Sequence, residues 1–308
     1  MKSIQVNQYG GEEQLKLVEV PQPEAAARQV VVRIVATSFN AIDPKRVSGV
    51  MRQIFPLQFP YTPGGDFSGV IESVGKEVTA FRPGDEVIGY SMSGGSYAEF
   101  IAIDSDKVAP KPKRASHVEA ASLSLVAQTA LQMLDRAGLH AGETVLIHGA
   151  GGGVGSVAVQ VAHHCGIKVI ATASAASFDR VKSYGAGRVI DYATERFEET
   201  VKDIDAVLDT VGGDVQQRSF SLLKPGGSLV AITQPPSPEE AAKHQVKASM
   251  LVTEVSSSSL KKVSAMIDAG EIDPCVGRVY PLEEVAQAWR DSRSEAIEGR
   301  IVFTVAAE

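Results

Sequence analysis

Hydrophobic residues recur with two different periods along this chain. Up to about residue 110 they form short runs with alternating polar positions, and Pro and Gly separate the runs. Such runs predict β-strands that are joined by tight turns. The predicted strands cover residues 3–6, 15–20, 29–36, 67–74, 86–90 and 97–101. Their spacing indicates a small antiparallel barrel or sandwich.

The pattern changes at Ser116, which Glu119 follows three residues later. This pair is typical of a capping box at the start of a helix. Apolar residues at helical spacing continue through Met133, so we expect one long helix with a domain boundary at its start.

From residue 144 onwards, predicted strands and helices alternate. The strands cover residues 144–149, 168–173, 188–191, 206–209, 228–233 and 248–253, and the helices lie near 154–165, 178–184, 194–202, 215–223 and 259–269. This alternation predicts parallel strands with crossover helices, and hence a doubly wound sheet. Pro235, Pro236 and Pro238 are expected to break the pattern.

The C-terminal tail has predicted strands at 276–280 and 300–305 and a predicted helix at 282–290. These strands need a sheet to pair with. We expect them to return to the first domain.

A glycine-rich turn, TVLIHGAGGGVG, spans residues 144–155. Glycine lets the backbone approach a ligand closely, and the free amides at a helix start attract anions such as a pyrophosphate. The strict pattern GxGxxG is not met, because the glycines fall at Gly149, Gly152 and Gly155 with Gly151 between them. A connection without a ligand is the alternative.

Composition narrows the class of partner. The 308 residues, 44% of them hydrophobic, suffice for two domains, and the net charge of −7 argues against nucleic-acid binding. Cys165 and Cys275 form no CxxC pattern, so reduced thiols are expected. The N-terminus lacks a signal core, and no stretch has 18 uninterrupted apolar residues. We therefore predict a cytoplasmic protein, without membrane segments, that binds a small molecule.

The second strand of the predicted sheet ends without a carboxylate, at Ala173 and Ser174. An acidic residue there accepts hydrogen bonds from the adenine ribose of NAD, and its loss admits a 2′-phosphate. Ser174 and Ser177 can donate to that phosphate and Arg180 can add charge. This favours NADP over NAD, although Arg180 could instead lie on a solvated helix face. A methyltransferase that uses S-adenosylmethionine is a further interpretation, because such enzymes also have a glycine-rich turn. They generally need an acidic residue at the end of the second strand too, so its absence here counts against this interpretation.

Several longer motifs accompany these features. They are HGAGGGVGSVAVQVA, KVIATAS, YGAGRVIDY, DTVGG, LKPGGSLV and EGRIVFTV, and, nearer the N-terminus, SFNAIDPKRVSG, PYTPGGDFSGVIESVG, FRPGDEVIGY and GGSYAEF. The ordered set resembles the medium-chain dehydrogenase/reductase superfamily. The N-terminal motifs resemble its zinc-free quinone and enone oxidoreductase branch.

The resemblance implies an α/β fold in which a doubly wound parallel (Rossmann) sheet is inserted in a GroES-like β-barrel catalytic domain. The catalytic domain would comprise residues 1–115 and 277–308, and the nucleotide-binding domain residues 116–276. NADPH as cofactor and a homodimer are implied as well.

The resemblance also implies roles for individual residues. It assigns the phosphate loop to Gly151, Gly152, Gly153 and Val154, the nicotinamide ribose to Thr129, the nicotinamide itself to Asn40, and the 2′-phosphate to Tyr192, with Ser177 where many relatives have lysine. Ile232 and Leu251 complete the expected cofactor contacts. Tyr192 could equally be a strand-end tyrosine with an outward hydroxyl.

The zinc sites of the superfamily have no counterpart here. Thr37 or Ser38 stands where zinc-dependent members have Cys, and Asp66 follows two glycines where Gly, His and Glu would stand. We therefore expect no metal and a structural, hydrogen-bonding role for Asp66. Hydride delivery to a quinone leaves a phenol-like oxygen of pKa about 10, and delivery to an enone leaves an enolate. Hydrogen bonds suffice for such anions.

The candidate hydrogen-bond donors are Asn40, Lys45, Tyr61 and Thr129. Asn40 is predicted to orient the substrate or the nicotinamide, and Lys45 is a hypothetical proton donor. Loops at 50–59 and 235–238, with Leu251, are expected to wall the substrate pocket, but they leave the acceptor's size and identity open.

The leading functional hypothesis is an NADPH-dependent, metal-independent reductase of quinones or α,β-unsaturated carbonyls. The alternative is an NADPH-binding regulatory or interaction protein with little turnover. A zinc alcohol dehydrogenase is a third interpretation. Only a stoichiometric metal in the purified protein would support it.

Overall fold

The computed structural model describes residues 1–294 and 297–306, which divide into two units. The first unit comprises Met1–Leu125, Val255–Gly270 and the chain from Pro274 onwards, and the second comprises Val126–Glu254 and Glu271–Asp273. Residues 116–125 and 255–270 thus lie in the first unit, although the sequence-based division groups them with the nucleotide-binding domain. The boundaries of the functional domains stay a prediction.

The strands in chain order are β1 (Lys2–Gln5), β2 (Lys16–Glu19), β3 (Gln29–Ser38), β4 (Asp66–Val74), β5 (Glu86–Tyr90), β6 (Phe100–Asp104), β7 (Val108–Pro110), β8 (Thr144–His148), β9 (Lys168–Ala173), β10 (Arg188–Asp191), β11 (Ile204–Asp209), β12 (Leu223–Ala231), β13 (Lys247–Met250), β14 (Val276–Pro281) and β15 (Arg300–Thr304). The α-helices are α1 (Ile42–Val47), α2 (His117–Ala121), α3 (Ser124–Ala137), α4 (Gly153–His164), α5 (Phe178–Ser183), α6 (Phe197–Thr200), α7 (Gly213–Ser219), α8 (Pro238–Lys243), α9 (Ser257–Ala269) and α10 (Val285–Ser294).

The sheet of the first unit has the order β14-β15-β3-β4-β5-β7, and β6 pairs with β3 beside this path. Its pairs are antiparallel except β14 with β15. Because β15 pairs with β3, with Phe303 opposite Thr37, the predicted return of the tail to the first domain is confirmed. Apolar side chains of β3 and β4, including Val32, Ile34 and Phe67, fill one core of this unit.

The predicted strand at 97–101 begins later, at Phe100. Residues 97–99 pair instead with the N-terminal strand, since the N–H of Ile4 donates to Tyr97 O at 2.8 Å. The short helix α1 had no counterpart among the predicted elements.

The second unit contains a parallel six-stranded sheet in the order β10-β9-β8-β11-β12-β13. Counted within the unit, this is the 3-2-1-4-5-6 order of the Rossmann fold, so the predicted doubly wound sheet is confirmed. Val145, Leu146 and Ile147 of the central strand β8 are fully buried. Strands buried on both faces read as continuous apolar runs, which is why the sequence revealed this one.

The capping box at Ser116 and Glu119 is present, but the single long helix predicted after it is wrong. The chain forms α2 and α3, with a break after Ala121. The carboxylate Oδ1 of Asp66 accepts the N–H of Leu125 at 2.7 Å and so satisfies one of the free amides at the start of α3. A side chain from β4 therefore favours a second helix start.

The proline-rich stretch after β12 also differs from expectation, because Pro238 begins α8 instead of excluding a helix. Ser237 caps this helix by accepting the N–H of Glu240. Proline is well tolerated in a first helical turn, where its missing N–H would have no partner. In the described part of the chain, no helix is both long enough and apolar enough to cross a membrane.

Candidate functional site

The glycine-rich turn after β8 forms a tight cradle. Gly149 has a φ of +72°, in the left-handed region that favours glycine. A Cβ on Gly155 would overlap the carbonyl oxygen of Gly149 and approach Ala150 Cα to 2.8 Å. Gly152 precedes α4, and no side chain caps the amides of its first turn. These amides can therefore bind an anion, as the sequence predicted for a pyrophosphate.

The residues predicted for the 2′-phosphate meet beside this cradle. Arg180 Nη2 donates to Gly151 O at 3.1 Å and to Ser177 Oγ at 3.2 Å. Ser174, directly after β9, places its Oγ 3.5 Å from that of Ser177. Arg180 thus lies against the glycine loop and not on a solvated helix face. Tyr192 is 63% exposed, and its N–H donates to Ala173 O at 3.3 Å, which places it next to the same strand end.

The other predicted cofactor contacts lie at or near the carboxyl ends of parallel strands. Ile232 follows β12 and donates its N–H to Asp209 O at 3.2 Å, and buried Leu251 follows β13. Thr129 in α3 is buried, with its hydroxyl 2.7 Å from that of Thr253. Val154 lies half-buried in the first turn of α4. Open α/β sheets bind ligands at this edge.

His148, the last residue of β8, was not singled out from the sequence. Its Nε2 lies 3.0 Å from Ser219 Oγ and its Nδ1 3.0 Å from Thr172 Oγ1. Because Ser219 donates its hydroxyl hydrogen to Val215 O, it accepts from Nε2–H, and Nδ1 accepts from Thr172. Burial lowers the pKa of His148 to about 4. The neutral ring therefore ties β8 to β9 and to α7 directly below the glycine cradle.

We expect His148 to make the second unit acid-sensitive. The unfolded chain binds this proton below a pKa of about 6.5, whereas the folded chain resists it until about 4. The contribution of neutral His148 to the free energy of unfolding is therefore complete above pH 6.5, and up to about 3 kcal/mol of it is lost as the pH falls to 4. Urea unfolding of His148→Gln across this range should lack that slope relative to the wild type. His140→Gln, at an exposed histidine, is the control and should keep the wild-type slope. The same slope in His148→Gln as in the wild type would contradict the prediction.

Asn40 lies in a buried polar cluster of the first unit. Its Nδ2 donates to Asp66 Oδ2 at 2.7 Å, and its Oδ1 accepts from Arg300 Nη2 at 3.0 Å. Ser38 Oγ donates to the same Asp66 oxygen at 2.8 Å. Burial raises the pKa of Asp66, while the charge of Arg300 opposes that shift. Asp66 is thus the hydrogen-bonding carboxylate that the sequence indicated.

A zinc centre does not fit these residues. Within residues 1–294 and 297–306, no three His, Cys, Asp or Glu side chains are grouped so that they could hold a metal ion. Thr37 donates its hydroxyl to the backbone oxygen of Asp66, and Ser38 and Arg300 occupy the carboxylate of Asp66.

The two remaining donor candidates differ in exposure. Lys45 is exposed on α1, and its ammonium has no acceptor in the described part of the chain. Tyr61 is buried, which raises its pKa to about 12. The guanidinium of Arg46, a residue that the sequence did not single out, lies 5.4 Å from the ring centroid of Tyr61 and donates to Met92 O at 2.7 Å. Arg46 thereby joins two loops of this unit.

Asp43 is a second buried carboxylate beside Asn40, and no sequence pattern pointed to it. Its Oδ2 accepts from the Asn40 N–H at 2.8 Å and from the Tyr97 hydroxyl at 3.0 Å. Burial raises its pKa to about 7. The structure thus places an acid that titrates near neutral pH next to Asn40.

We expect Asp43→Asn to become stabilising relative to the wild type as pH rises. The unfolded carboxyl ionises at about pH 3.9, but the folded one only at about 7, so wild-type stability falls between these values by up to about 4 kcal/mol. The amide of asparagine can keep the accepting oxygen and carries no charge. Unfolding free energies at pH 5 and pH 8 test this, with exposed Asp135→Asn as control. An unchanged difference between variant and wild type at both pH values would contradict it.

Comparison with known proteins agrees with this architecture. Residues 26–113 match the family model for the alcohol dehydrogenase GroES-like domain, and residues 184–303 match that for a zinc-binding dehydrogenase. The chain is 34% identical to the 2-methylene-furan-3-one reductase of Solanum lycopersicum, over 98% of this chain and 79% of that protein. It is 33% identical, with the same coverage, to the chloroplastic NADPH-dependent alkenal/one oxidoreductase of Arabidopsis thaliana.

Solved structures match along the whole chain. The quinone oxidoreductase of Coxiella burnetii superposes with a TM-score of 0.92 at 32% identity, covering 99% of both chains. The Escherichia coli quinone oxidoreductase complexed with NADPH gives a TM-score of 0.90 at 25% identity, covering 99% of this chain and 100% of that one. The chain therefore belongs to the medium-chain dehydrogenase/reductase superfamily, in the branch of the quinone oxidoreductases and enone reductases.

Proposed function

We propose that this protein is an NADPH-dependent oxidoreductase that transfers hydride to quinones or α,β-unsaturated carbonyls without a metal. The observation that carries the proposal is the uncapped glycine cradle at α4, with Arg180 and Ser177 hydrogen-bonded beside it. A diphosphate suits the cradle, and a further phosphate suits the neighbouring cation and hydroxyl groups.

Each cofactor residue receives a role in this proposal. The amides of Gly151, Gly152, Gly153 and Val154 bind the diphosphate, whereas Ser174, Ser177, Arg180 and Tyr192 bind the 2′-phosphate. Thr129, Ile232 and Leu251 contact the nicotinamide half. The similar Escherichia coli quinone oxidoreductase was solved as a complex with NADPH, which supports the choice of cofactor. When bound, NADPH supplies the hydride.

The acceptor chemistry requires hydrogen bonds more than a Lewis acid. A reduced quinone oxygen has a pKa of about 10, and an enolate spreads its charge, so neither anion needs a metal ion. Asn40 orients the acceptor or the nicotinamide. Lys45 is proposed as proton donor, and an unaltered turnover of Lys45→Ala across pH would remove it from the mechanism.

Loss of the near-ultraviolet absorbance of NADPH tests the proposal. Purified protein is incubated with NADPH and either 1,4-benzoquinone or an alkyl vinyl ketone. We expect consumption that requires both the protein and the acceptor. Tight NADPH binding without consumption over a broad acceptor panel would instead support an NADPH-binding regulatory protein.

We further propose a homodimer in the cytoplasm. In the described residues β13 is an edge strand that pairs only with β12, and Met250 and Val252 beside it are 38% and 61% exposed. An unpaired edge with apolar neighbours favours pairing with a second copy. Light scattering should give twice the chain mass of 32.6 kDa, and cell fractionation tests the location.

A further inference from the structure

The side-chain amide of Asn40 is held between two groups of opposite charge. Arg300 Nη2 lies 3.0 Å from its Oδ1, and Asp66 Oδ2 lies 2.7 Å from its Nδ2. Asn40 is only 4% exposed, and Asp66 is fully buried. The orientation of this amide is therefore set by its partners.

Only one orientation satisfies both partners. A guanidinium has donors but no acceptor, so the atom that faces Arg300 must be the amide oxygen. Asp66 Oδ2 accepts hydrogen bonds from Ser38 Oγ and from Arg300 Nη2, so the Asn40 atom that faces this accepting oxygen must be the amide nitrogen. A flipped amide would place a donor against a cation and an oxygen against an anion.

Both partners of Asn40 are themselves anchored. Arg300 Nε donates to Ser122 O at 3.0 Å, and its Nη2 also donates to Ser38 Oγ at 2.9 Å. Asp66 Oδ1 accepts the N–H of Leu125 at 2.7 Å. The end of β3, the start of β4, the start of β15 and the start of α3 thus hold the pair in place.

Counting hydrogens leaves one donor. The Asn40 nitrogen carries two hydrogens, and Asp66 accepts one of them. The second has no acceptor in the described part of the chain. The nearby guanidinium withdraws electron density through the amide oxygen, which strengthens the remaining N–H as a donor.

We propose that Arg300 and Asp66 are positioning residues that present Asn40 as a hydrogen-bond donor to the carbonyl oxygen of the acceptor. This role rests on the proposed function. When hydride adds to the β-carbon of an enone, the C=C pair moves toward the carbonyl and its oxygen becomes an enolate anion. The Asn40 N–H stabilises that oxygen, and a proton then reaches the α-carbon, from Lys45 as proposed above or from water if Lys45 is not the donor, which gives the saturated ketone. Because the charge develops during the step, the hydrogen bond strengthens in the transition state.

The test is a double-mutant cycle on the full-length protein with an alkyl vinyl ketone as acceptor. We expect Arg300→Met to lower kcat about 10- to 100-fold, with the KM for NADPH changed less than about twofold. If Arg300 acts through Asn40, the double variant Arg300→Met/Asn40→Ala should be no slower than Asn40→Ala alone. Arg82→Met, at a side chain that is 87% exposed, is the control and should match the wild type.

A second readout separates positioning from general structural damage. Loss of the donor should make the rate more sensitive to electron-withdrawing substituents on a series of aryl vinyl ketones. Arg300→Lys retains a cation and should lose less kcat than Arg300→Met. The lysine variant also keeps the test possible if the methionine variant does not fold. Multiplicative losses in the double variant, or an unchanged substituent dependence, would overturn the proposal. A wild-type protein that binds NADPH but reduces no acceptor would overturn the proposed function and this inference with it.

Discussion

Arg180→Met is expected to raise the KM for NADPH by about 10- to 100-fold and to leave the KM for NADH within about twofold, because a hydrogen bond to a charged group contributes about 1.5–3 kcal/mol. Arg180 lies 3.2 Å from Ser177 Oγ and 3.1 Å from Gly151 O, beside a strand end that has no acidic residue. Steady-state kinetics with both cofactors measures the effect.

The same helix provides a matched control. Lys182 also carries a positive charge on α5, but it donates to Gly187 O at 2.7 Å, so Lys182→Met should leave both KM values unchanged. An equal loss with NADPH and NADH in Arg180→Met would mean that Arg180 supports the glycine loop and does not bind a phosphate. In the opposite direction, Ser174→Asp should improve the use of NADH, since a carboxylate there can accept from ribose hydroxyls.

Gly155→Ala is expected to abolish NADPH binding and to destabilise the second unit by about 1–3 kcal/mol or more. The new Cβ would overlap the backbone oxygen of Gly149 and lie 2.8 Å from Ala150 Cα, and backbone atoms cannot move aside without reshaping the cradle. Fluorescence titration with NADPH and thermal unfolding measure the two effects.

Gly187→Ala is the control for this substitution. A Cβ at Gly187 would meet only Val169 O, at an ordinary contact distance of 3.4 Å. Its stability and its NADPH affinity should stay near the wild-type values. If Gly155→Ala bound NADPH with wild-type affinity, the diphosphate could not lie on the amides of α4.

The helices and strands were predicted correctly where the interactions that define them are between residues close together in the sequence, and they were missed where those interactions are long-range. The strands at 168–173 and 188–191 coincide with β9 and β10, because a buried strand bounded by turn residues shows its period locally. The helix start at Ser116 was found from the four residues that make its capping box. The end of α2 was missed, because the group that favours the next helix start, Asp66, is 59 positions away from Leu125.

The same difference between local and long-range signals separates the site residues that were predicted from those that were missed. Ser174, Ser177 and Arg180 were predicted together because they follow a single strand end within seven residues, and the structure places them side by side. Asp43 and Arg300 carried no signal of their own. A charged residue in a short helix, or at the start of a strand, is expected to be exposed on the surface unless the structure shows that it is buried.

By itself the sequence determined the alternation of strands and helices after residue 144, the glycine cradle and the uncharged strand end beside it, since periodicity, capping and turn chemistry act over a few neighbouring residues. Only the tertiary structure decided which distant polar groups meet. Arg300 reaches Asn40 across 260 positions, and burial rather than residue type moves the pKa of Asp43 to about 7 and that of His148 to about 4. Hydrogen-bond partners and desolvation depend on packing in three dimensions, and a linear pattern carries no trace of either.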